Sequence, residues 1–417
     1  MECDLLIVDC KAIVQVREST PLFVSGSQMD VLPILENSYL IVKDGNIFSF
    51  GAMKDLPKVK AKNIISGKDK FLFPSFIDSH THLVFASSRE SEFVMKIKGA
   101  SYEEIATKGG GILQSTKKLQ SLSEDELIEC TLPRVNEIIA SGTGAVEIKS
   151  GYGLTVKDEL KMLRVARRIG KHTPLKVKTT FLGAHAVPIN MTKEKYINMV
   201  MEEMIPAVAE ENLADYIDVF CETGFFSAKE ATKILLHGKK YNLIPRLHAN
   251  QLNRSGGVQV GIEVGAKSID HLENIGDEEI EILKGVSVMP TVLPCAAFFL
   301  NLPFPPARKM IDSGLPIAIA SDYNPGSSPS GNMPLMISLA CIGMKITPKE
   351  AFNATTINTA WALDILDSYG SITVGKVANF FITKSIPSID YMPYKIGSSL
   401  IETVILNGKI VVCNEKS

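Results

Sequence analysis

With 417 residues, 45% hydrophobic and 22% charged, the chain is long enough for an α/β barrel plus a smaller domain and leaves little room for a long disordered segment. A net charge of -2 without a basic run excludes an electrostatic footprint for nucleic acid, so a small-molecule substrate is the expected partner. Seven cysteines, odd in number and without a C-x-x-C pair, exclude a disulfide framework and read as reduced, mostly buried thiols.

The N-terminus places Glu2 and Asp4 where a signal peptide needs positive charge, which predicts a cytoplasmic protein. From there to residue 73, short β-rich runs alternate with turns: residues 5–8, residues 38–42, then Asp44-Gly45 followed by residues 47–50. Asp-Gly between two apolar runs is a hairpin signal.

Strand-like and helix-like segments alternate next, the pattern of a parallel sheet or barrel. Candidate strands lie at residues 76–82, 145–149, 176–184, 216–221, 244–248, 268–271, 286–289 and 317–320. Capping boxes start several helices, at Ser123 with Glu126, Ser227 with Glu230, and Thr347 with Glu350. Residues 157–170 carry Leu160, Leu163, Val165 and Ala166 on one side, as an outer amphipathic helix does. Residues 286–304 are nearly uncharged, but Pro290, Pro294 and Pro303 interrupt them, so buried strand plus loop is expected and no membrane span.

At the C-terminal end, residues 378–383, 403–406 and 410–412 read as strands, with Asn407-Gly408 as a second hairpin turn. Neither end alone buries a sheet face easily, so residues 1–73 and 371–417 are expected to form one small β-sandwich domain. Residues 74–370 are expected to form a (β/α)8 TIM-type barrel.

The polar chemistry gathers by position. Of seven histidines, His80, His82, His185, His248 and His271 lie at or just after predicted strand ends, and Asp322 follows the eighth strand. In a barrel those ends form one rim. His172 and His237 sit near helix C-termini, where the dipole accounts for them. His80 and His82 share a strand face at i and i+2. With His248 and Asp322 they make three nitrogen donors and one oxygen donor, suited to one divalent ion, zinc or iron. Such an ion favours deprotonation of bound water, giving a hydroxide nucleophile. His271 is placed to hold or move a proton, with a fifth ligand or a structural histidine as the alternatives.

The chain resembles the imidazolonepropionases of the metal-dependent amidohydrolase superfamily. The motifs are PSFIDSHTHLVFASSR at residues 74–89, GASYEEIATKGGGI at 99–112, VEIKSGYGL at 146–154, GAHAVP at 183–188, SIDHLE at 268–273 and SDYNPGS at 321–327. The first is generic to the superfamily; the others together are more specific. The resemblance implies hydrolysis of the cyclic amide C–N bond of 4-imidazolone-5-propanoate to N-formimidoyl-L-glutamate, a step of histidine degradation, by attack of a metal-bound hydroxide.

It further implies that Arg89 takes the propanoate and that Tyr152 and His185 line the substrate pocket, with Asn324, Gly326 and Ser327 as the substrate-contacting loop. The triple glycine at residues 109–111 lacks the strand context of a phosphate loop and reads as a loop near the pocket. One departure stands out. Deaminases and some imidazolonepropionases carry a glutamate three residues beyond the histidine that is His248 here, whereas this chain has Gln251, preceded by Asn250. An amide can hydrogen-bond the substrate ring but cannot shuttle a proton, so the catalytic burden shifts to His271 and Asp322. For assembly, the prevalence of two-fold oligomers makes a homodimer the expectation.

Overall fold

The computed structural model of the chain describes residues 1–99 and 111–413. Two sheets organise it. The first draws strands from both ends of the chain: β1 (Glu2–Val14), β2 (Ile34–Lys43), β3 (Asn46–Ala52), β4 (Lys60–Ser66) and β5 (Phe71–Pro74). The second consists of β6 (Phe76–Asp78), β7 (Thr143–Lys149), β8 (Lys176–Ala184), β9 (Tyr216–Cys221), β10 (Ile244–Ala249), β11 (Ser268–His271), β12 (Met289–Val292) and β13 (Ala318–Ile319). The chain then returns to the first sheet with β14 (Phe380–Thr383), β15 (Ile401–Leu406) and β16 (Lys409–Cys413).

In the first sheet the order is β16-β15-β14-β5-β1-β2-β3, and β4 pairs with β1. β1 serves two parallel partners in succession, Leu5 opposite Asn63 of β4 and Ala12 opposite Phe71 of β5. A register shift between Ile7 and Cys10 separates these pairings, with Asp9 at φ 55°. Leu5, Ile7, Ile13, Leu40, Ile47, Phe380 and Ile405 form a core on one face, drawn from both termini. Both hairpin turns adopt the expected left-handed backbone, Asp44 and Gly45 at φ 52° and 78°, Asn407 and Gly408 at 53° and 73°. The expected short runs were conservative; β1 and β2 are longer, and β4, which lacks apolar alternation, was not anticipated.

The second sheet is parallel, ordered β13-β12-β11-β10-β9-β8-β7-β6. Helices cover it, so β7 and β9 are buried at every residue, as parallel strands are. Its two edge strands meet at a seam. Asp322 N–H donates to the His80 carbonyl and His82 N–H to that of Tyr323, both at 3.0 Å. The Asp78 carboxylate accepts from Ser321 N–H, also at 3.0 Å. The result is a nearly closed eight-stranded barrel. An aromatic column, Phe73 stacked on Phe381 at 5.2 Å and Phe76 against Phe381 at 4.8 Å, joins the two sheets.

All three capping boxes form. Three expectations need correction. The seventh barrel strand runs Met289–Val292, three residues later than expected, and crosses Pro290. The loop expected after it is instead the helix Pro294–Leu300, with proline in its first turn. The first barrel strand ends at Asp78, so His80 and His82 stand beyond it and are held by the seam. Among the described residues no helix is long and apolar enough to cross a membrane.

Candidate active site

The strand ends of the barrel open into a cavity of about 800 Å³, lined among others by His82, Arg89, Tyr152, His185, His248, Gln251, His271, Asp322, Asn324, Gly326 and Ser327. His80 lies at its floor, fully buried, so every expected site residue falls in or beside one cavity. Residues 109 and 110 of the triple glycine lie outside the described residues, and Gly111 caps the helix Ile112–Ser121.

Four donors converge. His80 Nε2 and His82 Nε2 stand 3.4 and 3.5 Å from one Asp322 oxygen, and His248 Nε2 stands 3.5 Å from His82 Nε2. Tetrahedral coordination with bonds of about 2.1 Å separates ligand atoms by about 3.4 Å, so this spacing fits an ion of zinc's size. His80 Nε2 is buried and has no hydrogen-bond partner among the described residues, a costly arrangement without a cation to face. The donor set therefore fits a divalent metal.

Behind the donors lies a charged layer not anticipated from the sequence. Asp270 is 2.7 Å from His80 Nδ1 and Asp218 is 3.0 Å from His248 Nδ1. Each accepts the Nδ1 proton, which fixes the tautomer that leaves Nε2 bare. Lys149 donates to Asp218 and to Glu147, each at 2.9 Å, and lies 3.9 Å from Asp270. Arg246, fully buried, donates to the Ser79 and Ala362 carbonyls and lies 3.5 Å from Asp270. Burial alone would raise the Asp218 carboxyl, but His248 and Lys149 hold it well below the usual range. The signal for this layer was alternation of charge inside apolar strands, Glu147 with Lys149 in β7 and Arg246 with His248 in β10, each pair sharing one face.

His271 has φ 87° and its Nδ1 lies 3.3 Å from Glu273. Burial opposes charge on this ring, but Glu273, with Asp322 and Asp270, raises its pKa above the ordinary value. Burial pushes the Asp322 carboxyl up to about 6 and drives His185 down to about 3. His185 Nδ1 donates to the Gly151 carbonyl at 3.0 Å, which leaves Nε2 free to accept. Buried Glu159, on the helix Val156–His172, accepts from Gly151, Gly153 and Leu154 N–H at 2.7–3.0 Å and so holds the loop carrying Tyr152.

The loop after Asp322 is held from within. Asn324 donates to the Asp322 carbonyl and to Ser327, and accepts from Gly326 and Ser327 N–H, so its amide is occupied inside the turn. Ser327 Oγ donates to the Asp322 carboxylate at 3.1 Å. A Cβ on Gly326 would stand 2.5 Å from Arg89 Nη1, so any side chain here would push the guanidinium out of its present position. Arg89 Nε donates to Ser115 at 2.9 Å, while Nη2 is buried without a partner among the described residues. Asn250, beside Gln251, donates to Glu279 and is turned away from proton chemistry.

Comparison with known proteins agrees with this geometry. The amidohydrolase family model matches residues 71–411. The imidazolonepropionase of Christiangramia forsetii is 51% identical over 98% of this chain and 100% of its own length. That of Flavobacterium johnsoniae is 50% identical over 97% and 99%. Among solved structures, a zinc-bound adenosine deaminase from Xanthomonas campestris superposes with a TM-score of 0.72 at 16% identity, covering 99% of this chain and 94% of its own. At that identity it speaks to the fold alone.

Proposed function

The chain belongs to the amidohydrolase family, and from that premise we infer that it performs the reaction of the imidazolonepropionases, hydrolytic ring opening of 4-imidazolone-5-propanoate to N-formimidoyl-L-glutamate in histidine degradation. It is a hydrolase of C–N bonds. One observation carries the assignment of roles: two overlapping donor triads, His80–His82–His248 and His80–His271–Asp322, share a cavity with an arginine whose buried Nη2 has no partner among the described residues.

His80, His82, His248 and Asp322 would hold one divalent ion, zinc or iron. When bound, the ion supplies Lewis acidity and an acidified water. In the net reaction a water oxygen joins the ring carbonyl carbon, the bond from that carbon to the ring nitrogen breaks, and the nitrogen takes a proton. The former carbonyl carbon stays on the chain as a carboxylate of the single ring-opened product.

The chain's own residues divide the remaining work. His271, with Nδ1 engaged by Glu273, has Nε2 to carry a proton between water and leaving nitrogen. Asp322, beside His271 in the same cavity, is the second group placed to take up that proton. Gln251 hydrogen-bonds the ring and leaves proton transfer to His271. Arg89 pairs with the propanoate, and Tyr152 and His185 bracket the ring. Gly326 gives Arg89 its space, while Asn324 and Ser327 shape the loop beside it.

We further propose that residues 1–73 with 371–417 form the composite β domain and residues 74–370 the catalytic barrel, and that the protein works as a cytoplasmic homodimer. Seven free cysteines and the prevalence of two-fold assemblies support the latter pair. The functional test is product identification: metal-loaded protein and freshly prepared 4-imidazolone-5-propanoate should yield N-formimidoyl-L-glutamate with loss of the ring's ultraviolet absorbance. Persistence of the ring with folded, metal-loaded protein would refute the assignment.

A further inference from the structure

We propose that Lys96 is a second cationic group of the carboxylate subsite and a determinant of specificity for an anionic side chain on the substrate, an inference that rests on the reaction assigned above. Helix Glu90–Ile97 begins directly after Arg89 and places Phe93, Lys96 and Ile97 on the face that lines the cavity. Lys96 lies two turns from Arg89, about 10 Å along the helix axis. Both side chains nevertheless converge on Gly326. Arg89 Nη1 approaches within 2.5 Å of where its Cβ would be, and Lys96 Nζ stands 3.4 Å from its carbonyl oxygen.

Neither cation is satisfied there. Among the described residues Arg89 Nη2 is buried without a partner, and the long contact to Gly326 is the one hydrogen bond of the Lys96 ammonium. Glu92, the acid on the same helix, is committed elsewhere, its Oε1 accepting from Gly111 N–H at 2.8 Å. Burial lowers the Lys96 pKa; Glu92 opposes this and Arg89 adds to it. Two half-buried cations side by side cost free energy that an anion placed between them relieves. A monocarboxylate side chain on a small ring bound in the same cavity supplies that charge. The same pair disfavours a neutral ring substituent, which would leave both cations unpaired.

The test needs no turnover. Holoenzyme is titrated calorimetrically with 3-(imidazol-4-yl)propanoate and with 3-(imidazol-4-yl)propanamide, which differ in the anionic group alone. Lys96→Met should weaken the propanoate about tenfold and leave the propanamide within about twofold, while Lys96→Arg should retain propanoate binding. In kinetics the loss should fall on KM, with kcat kept. Equal weakening of both ligands, or no weakening of the propanoate, overturns the inference. Lys96 is partly exposed on a helix surface, so methionine there keeps the fold, and circular dichroism verifies it. If wild type shows the carboxylate preference and Lys96→Met abolishes it while 4-imidazolone-5-propanoate is not hydrolysed, the reaction assignment fails and the subsite stands.

Discussion

The deep and outer walls of the cavity are built on opposite principles. On the deep wall three of the four donors are backed by fixed partners, Asp270 behind His80, Asp218 behind His248 and Ser327 on Asp322, with Lys149 tying Asp218 to Glu147, while His82 Nδ1 has no partner among the described residues. On the outer wall Arg89 is fixed at one nitrogen by Ser115 and has no partner at another among the described residues. Order built in before binding suits a site that must hold an ion in one geometry and polarise a bond. Hydrogen-bonding capacity left unused suits a wall that draws its partner from the substrate.

Substitutions on the two walls should therefore fail differently. The largest effect belongs to a donor: His248→Ala should lose the metal and about 10⁴-fold of turnover, read by elemental analysis and steady-state kinetics. His271→Ala should keep the metal yet lower kcat by about 10²–10⁴-fold, because it removes the proposed proton carrier and leaves His80, His82, His248 and Asp322 in place. A metal-free His271→Ala protein would move that residue into the ion's coordination shell. Asp218→Asn should weaken metal affinity about 10–100-fold while preserving the fold, measured by competition with a chromogenic chelator. Arg89→Ala should raise KM by about tenfold or more with metal content unchanged, the signature of the outer wall.

The smallest effect concerns the seam. Burial raises the Asp78 carboxyl from 3.8 to about 7, so the folded protein disfavours its ionised form. A raised carboxylate leaves stability intact below the unfolded value and erodes it as pH climbs through the folded one. Metal-free protein should thus lose thermal stability between about pH 4 and pH 7 by this contribution, and Asp78→Asn should flatten that slope. An unchanged slope would mean that Asp78 titrates normally.

The same contrast explains what could be read from the sequence. That His82, His185, His248, His271 and Asp322 meet in one cavity, with His80 beside them, is legible because strand ends of a barrel converge. Asp218, Asp270 and Lys149 were not, because a charged residue inside a strand reads as solvent-facing unless closure of the barrel is known. The terminal sheet was legible through its two turns, Asp44-Gly45 and Asn407-Gly408, whereas β4 is polar or exposed along most of its length and carries no period. Pro290 made a strand end at Met289 the natural reading, yet β13 pairs only with Thr291 and Val292, beyond that proline. Arg89 and Gln251 could be placed only through the family motifs, since an arginine or glutamine in a loop carries no positional signal of its own.

The most direct test strips the protein with a chelator, titrates zinc or ferrous iron back at one equivalent per chain, and follows 4-imidazolone-5-propanoate to N-formimidoyl-L-glutamate at each point. The stripped protein should show no turnover and regain activity linearly up to one bound ion, with His248→Ala unresponsive. Undiminished turnover by metal-free protein, or saturation unaffected by loss of His248, would contradict metal dependence.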